Sequence, residues 1–410
     1  MFYAHCKREA LTADRHDQIS VFDKMRLFYW ILLYTPILLR CDCSVASDVM
    51  SCYFEKDRPK TEELDVTLCS HLILIGSCTL NDECRIMLPP VELITEINKL
   101  KERNDRLKVL FSLTPSNRCM SKLVLDSNLT GELVSEVTDF IVKESVDGFD
   151  IDWEFPVWSV DARPTDKKGF TVLLQELRRS FDRAKSGILL SVAVAAPYSI
   201  VKKAYDISAF NRYVDLVQIM NYDFHMFSKA QPFAAFNAPL FRKFIEFGVL
   251  GRMNSDYSTR FWLDSGLFRN KTVFGIPTYG RGYTLVDRYV HFVYAPASGV
   301  SIFGETYPFS KVCNLTFDSD YVYVFDEKAR SPYLHGGEKQ WLGFEDTRSM
   351  FVKATYAKRA HLAGIMIFDL ASDDFSGLCG KGKYPLIRAA KVAFEETRRA
   401  EGTHLERVII

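Results

Sequence analysis

The sequence has no excess of either charge, little tryptophan and no repeated or low-complexity stretch. Its 52 Lys and Arg residues balance its 52 Asp and Glu residues, and no polybasic tract stands out. Because nucleic acids and anionic membranes are recognised through clustered positive charge, neither is suggested as a partner. Only 5 residues are Trp, whereas 31 are Phe and 19 are Tyr, so we expect most aromatic side chains in a core.

The sequence also lacks an uncharged apolar run long enough to cross a bilayer comfortably. The run Leu27–Leu39 is too short, but basic residues precede it and small residues follow it (Lys24, Arg26; Ser44, Val45, Ala46). This order is typical of a signal peptide. We therefore interpret residues 1–46 as a leader that is cleaved near Ala46, with Met25 as an alternative start, and predict an extracellular protein without a membrane span. An uncleaved signal anchor is the competing interpretation, favoured by Arg40 and the long polar leader.

Cysteine usage fits export. Seven of the ten cysteines follow the proposed cleavage site: Cys52, Cys69, Cys78, Cys84, Cys119, Cys313 and Cys379. In an oxidising compartment they can pair, and because seven is odd, one is expected to be free or to pair between chains. Three acceptor tripeptides for N-glycosylation begin at Asn128, Asn270 and Asn314.

Short apolar runs alternate with amphipathic helical stretches along the chain. The eight runs are Val49–Phe54, His71–Ile75, Leu107–Leu113, Val146–Trp153, Ile188–Ala195, Leu216–Tyr222, Thr272–Pro277 and Gly364–Phe368. Alternating strands and helices predict a parallel sheet of the α/β class. Eight such units over residues 47–400 predict a closed (β/α)8 barrel, or TIM barrel.

The spacing breaks once, between the seventh and eighth runs. Residues 283–340 are too many for one helix and contain strand-like pieces separated by Gly, Pro and Ser turns. They predict a small α+β subdomain inserted into the seventh βα connection. Residues 401–410 are interpreted as a tail.

The sharpest feature is the acidic strand DGFDIDWE at 147–154. Because side chains alternate on a strand, Asp150, Asp152 and Glu154 project to one face and apolar residues project to the other. In a parallel barrel the outward face packs against helices, so the carboxylates face inward and approach the C-terminal rim, where barrel active sites lie. Carboxylates this close cannot all be ionised in a shielded site, so at least one should keep a proton, as a general acid requires.

Two alternatives to catalysis exist for this strand, an exposed acidic edge and a metal site. An exposed acidic edge strand would leave Ile151 and Trp153 without cover and has no Lys or Arg nearby to balance its charge. Three carboxylate oxygens could also hold Ca²⁺ or Mg²⁺, but strict strand alternation is unlike the looping ligand pattern of such sites. Catalysis is therefore the favoured interpretation.

The octet resembles the DxxDxDxE signature of glycoside hydrolase family 18, the chitinases and chitinase-like proteins. Further segments resemble motifs of that family, namely QIMNYD at 218–223, GIPTYGR at 275–281, WLGFED at 341–346 and DDFSG at 373–377. The resemblance extends from about Val49 to Phe394. It implies disulfides Cys52–Cys69 and Cys313–Cys379.

The resemblance also implies a mechanism and a substrate. Family 18 enzymes use the N-acetyl group of the substrate as the nucleophile. Glu154 would be the general acid, Asp152 would orient the acetamido group, and Asp150 would tune the protonation of Asp152. Tyr222 would hydrogen-bond the acetamido carbonyl. Residues implied to bind the sugar are Tyr53, Met220, Asp223, Tyr279, Arg281 and Phe368. The implied partner is chitin or a related β-1,4-linked N-acetylglucosamine glycan, with no cofactor and no metal ion.

Departures from the family pattern fall on positions that grip the sugar. Residues 112–115 read SLTP where the family has SxGG followed by Trp, Gly76 replaces an aromatic residue, and Phe368 replaces a Trp. Residues 226–228 read MFS where the family continues with Gly and Trp. The sequence therefore predicts a secreted hydrolase with an altered cleft. A weakly active or inactive secreted chitinase-like lectin is the alternative, and the intact Glu154 favours the hydrolase.

Overall fold

The structure is a computed structural model that describes the backbone of residues 49–401 and the side chains of residues 49–395. The predicted leader, its cleavage site and the tail beyond residue 401 lie outside the described residues.

Eight parallel strands close into a barrel, and they are the eight strands that the apolar runs predict. Numbered in chain order, they are β1 (Val49–Phe54), β2 (His71–Leu80), β4 (Lys108–Leu113), β5 (Gly148–Asp152), β6 (Leu189–Ala195), β7 (Leu216–Met220), β8 (Thr272–Pro277) and β15 (Gly364–Phe368). Each pairs with the next, and β15 pairs with β1 to close the sheet. The short strand β3 (Ile86–Met87) pairs antiparallel with the end of β2.

Helices surround the barrel. They are α1 (Val91–Asn98), α2 (Leu100–Arg103), α3 (Asn117–Leu123), α4 (Ser127–Glu144), α5 (Asp166–Ala184), α6 (Tyr198–Ala204), α7 (Ile207–Tyr213), α8 (Ser255–Asp264), α9 (Phe309–Val312), α10 (Thr347–Arg359) and α11 (Pro385–Glu401). Side-chain oxygens cap several N-termini. Asp126 accepts two backbone N–H groups of α4, and Asp346 forms a capping box with Ser349 at α10.

Apolar side chains form one core inside the barrel and another between the strands and the helices. Residues such as Tyr53, Met220 and Met366 belong to the inner core. On β5, Phe149 and Ile151 belong to the outer core, so the intervening acidic side chains face the barrel interior.

A second sheet follows β8 directly. Its strands are β9 (Tyr279–Leu285), β10 (Ala297–Val300), β11 (Thr306–Pro308), β12 (Tyr321–Asp326), β13 (Ser331–Gly336) and β14 (Gln340–Gly343). With α9 they form the α+β subdomain predicted in the seventh connection. The sheet extends beyond 283–340 at both ends, because β14 pairs with β9 as far as Gly343 opposite Arg281.

Three disulfides join six of the seven cysteines after residue 46. Cys52–Cys69 and Cys313–Cys379 are the pairs that the family resemblance implies. Cys84–Cys119 is a third pair that no motif predicted. Among the described cysteines, Cys78 is the one left unpaired, and it is buried. Within residues 49–401, none of the helices combines the length and apolar character needed to cross a membrane.

Candidate active site at the C-terminal rim of the barrel

Asp150 lies fully buried in the middle of β5, at the base of the site. Its carboxylate accepts hydrogen bonds from Tyr53 Oη at 3.0 Å and Ser112 Oγ at 2.8 Å. Gln218 Nε2 lies 3.5 Å from its second oxygen. Burial raises the pKa of Asp150, although these hydrogen-bond donors act in the opposite direction. Asp150 therefore connects β1, β4 and β7 across the barrel interior.

Gln218 extends this network to further strands. Its Oε1 accepts a hydrogen bond from Ser51 Oγ at 2.5 Å, and its Nε2 donates to Ser191 Oγ at 2.8 Å. Ser51, Ser191 and Gln218 are all fully buried. Since the buried polar groups satisfy one another, the base of the site is rigid and excludes alternative positions for Asp150.

Asp152 lies one position further along the inward face of β5. It is buried, and its Oδ1 has no hydrogen-bond partner among the described residues. Burial raises the pKa of Asp152 well above the ordinary value for Asp, and the negative charges of Glu154 and Asp150 raise it further. An unpaired buried oxygen is costly, so this atom is prepared to interact with a group that enters the site.

Glu154 follows the end of β5 and reaches the rim, where the residue is exposed. Desolvation of its carboxyl raises its pKa, and the nearby charge of Asp223 adds to the effect. The Glu154 carbonyl accepts hydrogen bonds from Asn117 Nδ2 at 2.8 Å and Ser159 Oγ at 2.9 Å. Asn117 Oδ1 also accepts a hydrogen bond from Trp153 Nε1 at 2.8 Å. The backbone that carries Glu154 is therefore held by Ser159 of its own connection and by Asn117 at the start of α3.

Asp223 forms the opposite wall with β9. Its Oδ1 accepts hydrogen bonds from Tyr279 Oη at 2.7 Å and Arg281 Nε at 2.6 Å, and Arg281 also reaches Glu305 at 3.1 Å. Asp223 has a left-handed backbone with φ of 56°, and its N–H donates to Asn237 Oδ1 at 2.9 Å. For a residue other than glycine this conformation is strained, and such strain is concentrated at functional sites.

Phe368, at the end of β15, is surrounded by three tyrosines. Its ring centroid lies 5.5 Å from Tyr53, 5.7 Å from Tyr222 and 6.2 Å from Tyr279. The Tyr222 hydroxyl lies 3.9 Å from the Met366 sulfur, a weak acceptor, so its hydrogen-bonding capacity is largely free for a bound molecule. Half-buried Phe368 and its neighbours make an apolar floor next to the carboxylates.

The structure brings all ten sequence-predicted site residues to one place. Asp150 contacts Tyr53, Asp152 interacts with Glu154, and Asp223 joins Tyr279 to Arg281. Met220 packs in the same inner core as Tyr222. Sequence reasoning missed the supporting polar residues Ser51, Ser112, Asn117, Ser159, Ser191 and Gln218. The signal for Ser51 and Gln218 was available, because each lies two positions before an inward-facing predicted residue on its strand.

Three acidic residues of the other motifs have different contacts. Glu345 forms a buried ion pair with Lys353. Asp373 accepts the backbone N–H of Ile387 at 3.0 Å, and Asp374 accepts that of Cys379 at 2.7 Å. These carboxylates hold the chain after β14 and after β15, so they stabilise the connections that frame the site.

Residues 49–373 match the model of the family described as Glycosyl hydrolases family 18. The chain belongs to this family. It is 31% identical to Chitotriosidase-1 of Mus musculus over 350 residues, which cover 80% of this chain and 72% of that protein. Its structure matches that of the Ostrinia furnacalis Group IV chitinase in complex with allosamidin, with a TM-score of 0.78 and 28% identity over 85% of this chain and 99% of the other. It equally matches human YKL-39, described as a pseudo-chitinase with retained chitooligosaccharide binding properties, with a TM-score of 0.78 and 27% identity over 85% and 100% of the two chains.

Three of the residues that depart from the family 18 pattern are Gly76 on β2, Thr114 after β4 and Met226 after β7. Gly76 has a left-handed backbone with φ of 54°, and no atom lies within 4 Å of the position that a Cβ would occupy. Thr114 is exposed directly after β4, and Met226 is 44% exposed in the connection after β7. Gly76 therefore leaves open space where the family pattern has an aromatic residue, whereas Thr114 and Pro115 carry side chains where the family pattern has glycine.

Proposed function

We propose that this family 18 protein hydrolyses chitin-type β-1,4-N-acetylglucosamine glycans by a substrate-assisted mechanism that retains the anomeric configuration. The observation that carries the proposal is the pair of Asp152 and Glu154. One is a buried carboxyl with an unpartnered oxygen, the other is a rim carboxyl, and both have raised pKa values. A proton donor beside an acceptor for an amide N–H is what this chemistry requires.

In the first step Glu154 donates its proton to the glycosidic oxygen as the bond to the anomeric carbon breaks. The acetamido oxygen of the same sugar attacks the anomeric carbon and forms an oxazolinium ion, while Asp152 accepts the acetamido N–H and balances the positive charge. In the second step Glu154 takes a proton from water as the water oxygen attacks the anomeric carbon. The bond from that carbon to the acetamido oxygen breaks, so the oxazolinium ring opens and the N-acetyl group is restored. The Tyr222 hydroxyl donates a hydrogen bond to the acetamido carbonyl oxygen. Phe368 packs against the apolar face of the sugar.

The charge state follows from the contacts. Because its pKa is raised, Glu154 keeps its proton at a higher pH than a fully hydrated Glu would, so we expect turnover to fall as the pH rises through that pKa. Asp150 lies too deep to touch the sugar. Its network with Tyr53, Ser112 and Gln218 holds the strand and supplies negative charge beneath Asp152.

The test compares wild-type protein with Glu154→Gln on a fluorogenic N-acetylglucosamine oligomer. The variant removes the proton and little volume, so we expect kcat to fall by about 10²–10⁴-fold while folding and oligomer binding persist. Glu83→Gln, at an exposed residue, is the matched control. A Glu154→Gln variant that keeps more than about a tenth of wild-type kcat would contradict the acid assignment.

A secreted chitinase-like lectin is the second candidate, and the open space at Gly76 and the loss of the family pattern at 112–115 favour it. It predicts oligomer binding by the wild-type protein with no turnover above that of Glu154→Gln. The same pair of proteins therefore separates the two functions.

We further propose that the protein is exported and glycosylated. Three disulfides fit an oxidising compartment, and Asn128, Asn270 and Asn314 are exposed. We expect secreted material to begin near Ser47 and to carry Cys52–Cys69 and Cys313–Cys379 when its peptides are mapped without reduction. An intact leader, or either pair reduced, would contradict this proposal.

A further inference from the structure

The connection between β7 and α8 contains an exposed apolar segment. In residues 244–250, here called the 244–250 loop, Phe244 is 89% exposed, Ile245 61%, Phe247 68% and Val249 62%. Leu250 is also exposed. Monomeric soluble proteins rarely expose so many neighbouring large apolar side chains without an interaction that covers them.

The polar residues of this loop point inward. Glu246 is buried, and its carboxylate accepts hydrogen bonds from the Lys243 backbone N–H at 2.8 Å and from Tyr294 Oη at 2.6 Å. The Lys243 ammonium group pairs with Asp326 of β12. The Phe244 and Phe247 rings meet edge to face at 6.5 Å. The loop is thus held from within by polar contacts, and its apolar side chains are presented to solvent as a preformed wedge.

A basic cavity lies beside the wedge. It has a volume of about 570 Å³ and is lined by Arg242, Arg252 and Arg260 together with Asp256. Arg260 pairs with Asp256, whereas Arg242 and Arg252 form no ion pair among the described residues. The Arg252 guanidinium lies over the Tyr198 ring at 4.8 Å, which holds it in place. The cavity therefore carries excess positive charge and planar donors that suit a phosphate group.

We propose that the 244–250 loop and this cavity form a docking surface for a phospholipid bilayer. The apolar side chains would enter the acyl boundary, and Arg242 and Arg252 would bind headgroup phosphates, as in interfacial anchors that combine apolar burial with basic residues. The balanced net charge of the sequence gives no sign of this, because the excess is local.

The occupant is a lipid surface rather than a second copy of the chain. The loop offers five exposed apolar side chains, whereas each partner of a stable protein interface contributes about 20–30 residues. The outward face of the loop also lacks hydrogen-bonding side chains, which protein interfaces normally supply. A bilayer needs neither.

Docking would orient the active site. The loop belongs to the same connection as Tyr222 and Asp223. This connection runs from the C-terminal end of β7 to the N-terminus of α8, and it therefore starts on the side of the barrel where the carboxylates lie. A protein bound through the wedge would hold its cleft close to the headgroups, within reach of glycans displayed on a membrane.

The test measures flotation of the secreted protein with vesicles of phosphatidylcholine alone or mixed with phosphatidylserine. We expect binding that is stronger with phosphatidylserine and weaker at high salt. Phe244→Ser with Phe247→Ser should lower the bound fraction more than about tenfold, because two phenyl rings no longer enter the bilayer. Phe317→Ser, at a residue that is 76% exposed in the second sheet region, is the control and should bind as wild type.

A second variant, Arg242→Gln with Arg252→Gln, leaves the wedge unchanged and should remove most of the preference for phosphatidylserine. Melting curves check that both variants fold, and turnover of a soluble oligomer should be unchanged in both. No binding to either vesicle, or binding retained by the double serine variant, would overturn the proposal. Self-association that the serine variant abolishes, without vesicle binding, would assign the wedge to a second copy instead. Failure of the proposed hydrolysis leaves these vesicle results unaffected.

Discussion

At the base of the barrel the polar side chains satisfy one another, whereas at the rim they are left open. Asp150 accepts hydrogen bonds from Tyr53 and Ser112. Gln218 hydrogen-bonds to Tyr53 and to Ser191 on the neighbouring strand. Two positions further along β5, Asp152 has an oxygen without a partner, and Glu154 is exposed. Thr114 and Met226, two residues that depart from the family pattern, also follow the C-terminal ends of their strands. The base therefore preserves geometry, and the rim is where substrate preference and activity can change without loss of the fold.

Removal of Asp150, the central hydrogen-bond acceptor at the base of the barrel, should destabilise the fold. Asp150→Ala leaves the hydroxyls of Tyr53 and Ser112 buried without their acceptor, so we expect a loss of about 2–4 kcal/mol in the free energy of unfolding. Chemical denaturation measures it. The exposed Asp105→Ala is the control and should change stability by less than about 0.5 kcal/mol. An Asp150→Ala protein as stable as the control would show that the base is not the rigid part.

A positioning residue connects the two regions. Asn117→Ala removes the bonds to the Glu154 carbonyl and to Trp153 Nε1, so the acid should lose its fixed place. We expect kcat to fall about tenfold, in line with the sensitivity of catalysis to small displacements, with KM little changed. Arg118→Ala, at the next and exposed residue of α3, controls for changes in the helix. A rise in KM at unchanged kcat would assign Asn117 to sugar binding instead.

At the rim, Phe368→Trp tests whether the floor still serves chitin-type sugars. Phe368 is half-buried, so a wider ring can extend over the open side and offer more face to a pyranose. We expect oligomer binding to tighten by about 1 kcal/mol at unchanged melting temperature. Titration calorimetry with a chitin tetramer, beside a melting curve, measures both. Weaker binding with a lower melting temperature would mean that the ring overfills a floor remodelled for another glycan.

The smallest effect concerns the pH dependence of stability. The raised pKa of Asp152 means that the native state keeps a proton that the unfolded state releases above about pH 4. Stability should therefore fall as the pH rises from about 4 through the raised pKa, since the native state binds more protons there. Asp152→Asn cannot ionise and should melt slightly higher than wild type near neutral pH. This advantage should vanish at acidic pH, and an advantage that is equal at both would contradict the assignment.

The fold was predictable because each barrel strand is an apolar run bounded by helical stretches, and strand alternation gave the orientation of the carboxylates. The amphipathic stretch at 91–103 forms two helices, α1 and α2, and apolar spacing alone does not reveal the break between them. The residues around Asp150 escaped prediction for a different reason. Strand alternation places Ser51 and Gln218 on the inward face, but it does not show that they hydrogen-bond to each other across the barrel or that Ser191 joins them. The exposure of the 244–250 loop was not predictable from the sequence either, because its apolar residues are the kind that normally form a buried segment.

The third βα connection has two duties that the sequence separates by only a few residues. Residues 112–115, where the family pattern is lost, lead directly into α3, whose first residue is Asn117 and whose Cys119 is bonded to Cys84. The segment that departs from the family pattern thus leads into the helix whose first residue, Asn117, holds the Glu154 backbone. Side chains introduced at 112–115 to match the family pattern should therefore also affect the hydrogen bond from Asn117 to the Glu154 carbonyl. Residues 112–119 should therefore be exchanged between relatives as one segment, together with Cys84, the disulfide partner of Cys119.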